Sequence, residues 1–198
     1  KEGVFKSALL MRPVFETAKR VKRRIVFAEG EDERVLRAAQ AILEETSEQP
    51  ILIGRPSVLE QRCERLGLVV RPGRDFEIVN PEDDPRYRDY WTSYHEKMCR
   101  RGITPDLAKA IMRTNTTAIA AVMVHRGEAD NLICGTFGEY RWHLKYLEQV
   151  LGAPDCMPHG ALSMMILEDG PLFIADTHIN TEPTPEPVSY THLRAHET

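Results

Sequence analysis

Arg24-Ile-Val-Phe-Ala-Glu-Gly-Glu-Asp-Glu-Arg-Val35 decides the fold. Its opening residues, Arg24 to Ala28, form a short apolar run of strand length. Glu29-Gly-Glu-Asp32 is turn chemistry, and Val35, Leu36, Ala39, Ile42 and Leu43 then recur at helical spacing. The pattern predicts strand, turn and helix. It repeats at once: Gln49-Pro-Ile-Leu-Ile-Gly54 reads as a second buried strand, and Val58, Leu59, Cys63 and Leu66 give the next helix one apolar face that ends at Gly67.

Phe76-Glu-Ile-Val79 is a third strand, closed by the loop signal of Asn80-Pro81. A helix follows from Tyr87 to Arg101 and stops at Gly102. Thr104-Pro-Asp-Leu opens another, with Thr as N-cap and Pro at the first helical position. Asn115 or Thr116 caps a helix through Val124 that is apolar nearly all round and is therefore predicted to lie in the core. Asn131-Leu-Ile-Cys-Gly135 is a further strand, after which Tyr140, Leu144, Leu147 and Leu151 mark the apolar stripe of a helix ending at Gly152. Met164-Met-Ile-Leu167 and Leu172-Phe-Ile-Ala175 are joined by a link too short for a crossover helix, which predicts an antiparallel hairpin. The whole reads as an α/β fold with a mostly parallel sheet flanked by helices plus that hairpin. Ligands of such sheets sit beyond the carboxyl ends of the strands.

Composition limits the partners. The 198 residues are 42% hydrophobic and 28% charged, enough for one well-buried domain, and the formal net charge of -4 supplies no field for nucleic acid or anionic lipid. The run Thr117 to Val124 is too short to span a bilayer and no signal segment precedes it, so a cytoplasmic location is expected. Cys63, Cys99, Cys134 and Cys156 lie far apart, which suits reduced thiols.

Few residues point to chemistry. Gly135 and Gly138 follow a buried strand, where backbone N–H groups can meet an anion at the next helix; a tight turn without ligand explains them equally. With Thr136, and with Lys145 as a source of positive charge, they form the candidate anion or effector site. The carboxylates Glu29, Glu31, Asp32 and Glu33 are read as helix-capping groups in a first turn rather than metal ligands. Asp176-Thr-His178 is read as a polar turn, and His95, His125, His143 and His159 lack metal-ligand spacing. No catalytic, cofactor-binding or metal-binding residue is assigned.

From Met11 to about Pro187 the chain resembles the phosphate acetyltransferase-like region of the large bacterial NADP-dependent malic enzymes. The resemblance is carried by Met11-Arg-Pro-Val-Phe15, Arg24 to Val35, Pro50-Ile-Leu-Ile-Gly-Arg-Pro56, Asp75-Phe-Glu-Ile-Val-Asn80, Asp84-Pro-Arg-Tyr87, Gly127-Glu-Ala-Asp130, Ile133-Cys-Gly-Thr136 and Phe173-Ile-Ala-Asp176. It implies the first lobe of a phosphate acetyltransferase-like fold, akin to isocitrate and isopropylmalate dehydrogenases. It also implies a parent that converts malate to pyruvate and carbon dioxide with NADP and Mg or Mn bound in a region outside this chain.

The region itself is then expected to be a regulatory and oligomerisation module sensing acetyl-CoA or a related acyl-CoA, in a homo-oligomer. The alternative is a piece of a true phosphate acetyltransferase, moving acetyl between phosphate and coenzyme A. In that family an arginine stands about where this chain has Lys145. Residues 1–23 are read as linker and helix following a malic catalytic domain, and 24–187 as the acetyltransferase-like domain. Residues 188–198 are read as the translation of a sequencing adapter, which sets aside His192 and His196.

Overall fold

The computed structural model describes residues 12–13, 16–17, 19–46, 48–152, 160–167, 170–176 and 179. The chain divides into two compact units, Lys19–Gly152 and a second made of Lys1–Ala18 with Ala153–Thr198.

In the larger unit, β1 (Ile25–Phe27), β2 (Ile51–Ile53), β3 (Glu77–Val79) and β4 (Asn131–Ile133) form a parallel sheet in the order β3-β2-β1-β4. Side chains alternate across it as the pleat requires. Val26, Ala28, Ile51 and Ile53 join one apolar cluster, whereas Phe27 and Leu52 join another. The second cluster is completed by α1 (Glu33–Thr46) through Val35, Leu36 and Ala39, and by α2 (Pro56–Leu66) through Leu59 and Cys63. The first is covered by α3 (Tyr87–Met98), α4 (Pro105–Thr114), α5 (Thr116–His125) and α6 (Tyr140–Leu151). The sheet is therefore a middle layer between two layers of helices, and every helix and strand expected of this unit is present.

Local chemistry sets the helix ends. Thr104 Oγ1 accepts the Leu107 N–H, with Pro105 at the first helical position. Gly67 closes α2 at φ +63°, a left-handed conformation that costs a residue with a Cβ free energy. Asn115 serves two helices: its N–H donates to Ile111 O at the end of α4, and its Oδ1 accepts the Ala118 N–H at the start of α5 at 2.8 Å. Thr117 to Met123 of α5 are all buried, as the unbroken apolar run predicts.

The stripe of α6 differs from expectation. His143 and Val150 are its buried residues, Leu144 and Leu147 are half-buried, and Tyr140 and Leu151 are exposed. The helix is rolled about one residue from the face that hydropathy alone selects, because His143 finds polar partners inside.

In the smaller unit, β5 (Leu162–Leu167) and β6 (Gly170–Ala175) pair antiparallel from Leu162↔Ala175 to Leu167↔Gly170. The hairpin is longer and its link shorter than the sequence suggests. Thr177 and His178 of the polar turn lie outside the described residues, as do Cys156, His159 and residues 188–198. Among the described residues, no helix is long and apolar enough to cross a membrane.

Candidate functional site

The chain runs from β1 outward to β2 and β3, then returns past β1 to β4, so the strand order reverses between β1 and β4. Open parallel sheets bind ligands at that reversal, beyond the carboxyl ends of the strands. A cavity of about 490 Å³ opens beyond the carboxyl ends of β1 and β2, floored by Ala28, Ile53 and Gly54 and walled by Glu29, Arg62, Arg113 and, from the loop after β4, Phe137. Its basic residues have partners. Arg55 forms a two-pronged bond to Glu31, Arg62 Nη1 donates to Glu31 O, and Arg113 donates to the carbonyls of Pro81 and Glu82 while stacking 3.7 Å above the Tyr87 ring.

The acidic run divides its labour. Glu33 sits in the first turn of α1 and bridges Arg65. Asp32 Oδ1 accepts the Arg34 N–H, and its hydrogen bonds from the Arg34 side chain hold its carboxyl at about 2. Arg55 likewise holds the Glu31 carboxyl below its ordinary value. Glu29 does something else. It lies at the end of β1 with a side chain only 2% exposed, and both its oxygens accept the Gly135 N–H at 3.1 Å. The first-turn capping expected of the run therefore applies to Asp32 and Glu33, and fails for Glu29 and for Glu31, whose carboxylate is held by Arg55.

Gly135, Thr136 and Gly138 share the loop from β4 to α6, which is pinned at three successive residues. Glu29 holds Gly135, Arg34 Nη2 donates to Thr136 O at 2.5 Å, and His143 Nε2 donates to Phe137 O at 2.7 Å. A carbonyl only accepts, so His143 carries its proton on Nε2, and in the neutral ring Nδ1 accepts from Thr117 Oγ1 at 2.8 Å. Gly138 lies against this ring at φ +85°; a Cβ there would stand 3.2 Å from Nε2. A smaller cavity, about 280 Å³, lies on this side, lined by Cys134, Gly135, Gly138, His143, Leu144 and Leu147. Burial and the charge of Glu29 push the Cys134 thiol up to about 11.

Lys145 does not join them. It is exposed on α6, with Nζ 5.9 Å from the Tyr146 ring centre, and lines neither cavity. Sequence reasoning missed Glu29, Arg34, Thr117 and His143. Only Glu29 carried a local signal, being a carboxylate placed directly after an apolar strand. No group of three or more His, Cys, Asp or Glu side chains among the described residues can hold a metal ion, so no metal chemistry is derived from them.

These features define a layered α/β lobe with a parallel four-stranded sheet and a cavity beyond the carboxyl ends of β1 and β2. The family model for phosphate acetyl/butaryl transferases matches residues 9–198, and the chain belongs to that family. It is 50% identical, over 97% of its length, to the NAD-dependent malic enzyme of Rhizobium meliloti (strain 1021). It is 47% identical, over its whole length, to the NADP-dependent malic enzyme of Salmonella typhimurium. The match lies in the C-terminal region of these enzymes, and the chain spans about a quarter of their length. Among solved structures, a phosphotransacetylase from Streptococcus pyogenes superposes with a TM-score of 0.74 at 22% identity, covering 87% of this chain and 52% of the other. That likeness concerns the fold.

Proposed function

We propose that this chain is the regulatory lobe of a malic enzyme. The observation that supports the reading is the 47–50% identity to malic enzymes along essentially the whole chain, against 30% to a phosphate acetyltransferase over 93% of it. The parent reaction is the oxidative decarboxylation of malate to pyruvate, with nucleotide and Mg or Mn held in a region outside this chain. The lobe senses acetyl-CoA or a related acyl-CoA and contributes to a homo-oligomer in the cytoplasm. Its effector cleft is the larger cavity beyond the carboxyl ends of β1 and β2, with the anionic end of the effector directed toward the Gly135–Gly138 loop.

The test is malate oxidation by the intact parent, with and without acetyl-CoA. Loss of activity on addition, abolished by deleting this lobe, supports the reading; a response that survives the deletion overturns it. Family membership favours a second reading, a phosphate acetyltransferase, and formation of acetyl phosphate from acetyl-CoA and phosphate by the parent would establish that instead.

A further inference from the structure

The loop proposed to meet an anion already holds one. Gly135 N–H, in the loop that leaves β4, points at both oxygens of Glu29. That carboxylate is almost wholly buried, and Gly135 N–H is its one hydrogen-bond donor within 3.5 Å among the described residues. Two further groups lie close by. His143 Nδ1 is 3.8 Å from Glu29 Oε1, and the Arg34 guanidinium, which bonds Asp32 first, also feels the charge of Glu29. Glu29 lines the larger cavity and Gly135 the smaller, so their hydrogen bond is part of the wall between the two.

We propose that Glu29 is a displaceable latch. Its carboxylate occupies the Gly135 N–H in the empty lobe, and a phosphate-bearing ligand takes that donor only when Glu29 swings away toward Arg34. The argument rests on the effector-cleft reading above and adds a competition to it. Two anions cannot share one N–H, and two buried negative charges within a few ångströms repel strongly. Binding therefore costs the free energy of the Glu29–Gly135 bond, and it opens the wall between the cavities as the side chain leaves. The loop is held elsewhere through Thr136 O and Phe137 O, so it keeps its place while the latch moves.

The experiment uses the full chain and inorganic phosphate as the probe, read by titration calorimetry and by NMR of the Gly135 amide and the Glu29 side-chain carboxyl carbon. Glu29→Gln keeps the shape but weakens a charge-assisted bond to a neutral one, and is expected to tighten phosphate about tenfold. Glu82→Gln removes a charge from the same larger cavity without touching Gly135 and is expected to change affinity less than twofold. In the unaltered chain the Gly135 and Glu29 signals should move together along one saturation curve, a readout that stands even if Glu29→Gln fails to fold. A Gly135 signal that moves while Glu29 stays still, or an equal gain from Glu82→Gln, overturns the latch and leaves the anion site intact. No movement at Gly135 at saturating phosphate overturns the anion site and the latch together.

Discussion

Replacing Asn115 by alanine removes the side chain that starts α5 and leaves in place the backbone N–H that ends α4. Its Oδ1 accepts the Ala118 N–H at 2.8 Å in a place where Asn115 is buried and Ala118 fully so. Loss of an N-cap costs about 1 kcal/mol, and an N–H left without water or partner adds about 1 kcal/mol more, giving about 2 kcal/mol. For a cooperative unit of about 130 residues, Lys19–Gly152, the unfolding entropy is about 0.27 kcal/mol/K. The midpoint should then fall by about 7 °C. The assay is a circular dichroism melt of the full chain beside Asn115→Ser, which keeps an oxygen acceptor and should recover more than half of the loss. A fall under 2 °C, or a serine variant as unstable as the alanine one, would refute the account of Asn115 as the side-chain cap of α5.

Two further outcomes follow from the acids and thiols. Asp32 is held at about 2 by its hydrogen bonds from Arg34, below its ordinary 3.8, so its contribution to stability is complete above pH 4 and lost as pH falls through 2. The gap in urea midpoint between the unaltered chain and Asp32→Asn should therefore narrow between pH 6 and pH 2.5, and a gap that widens on acidification contradicts this sign. Alkylation with iodoacetamide at pH 8, mapped by mass spectrometry, should label exposed Cys99 before Cys134 and Cys63. Burial raises the pKa of both of the latter, that of Cys134 to about 11, and equal rates at Cys134 and Cys99 would count against its shielding.

The layered fold was legible because its signals are local. The apolar runs at Ile25 and Ile51, the Thr104-Pro105 start and the Gly67 stop each depend on residues a few positions apart. The site was less legible because its bonds are not local. Glu29 meets Gly135 across 106 positions, and His143 meets Thr117 across 26. Hydropathy cannot anticipate that a histidine will turn inward, so the stripe through Tyr140 and Leu151 was placed one residue off the buried face. In the same way, an acidic run read as one unit hides the fact that Glu29 closes a strand and Glu31 pairs with Arg55, while only Asp32 and Glu33 begin a helix.

The position of β1 between β2 and β4 also orders events during synthesis. One neighbour begins 25 residues later, at the Val26↔Ile51 register, but the other must wait for Asn131, the partner of Ile25. At about 5–20 residues per second, the second edge of β1 stays without its partner for roughly 5–20 s on the ribosome. An open strand edge is a template for any other extended chain. An inner strand of the finished sheet thus keeps one edge open long after β2 and β3 have formed, and the Arg24–Asp130 ion pair at its base can close only when that interval ends.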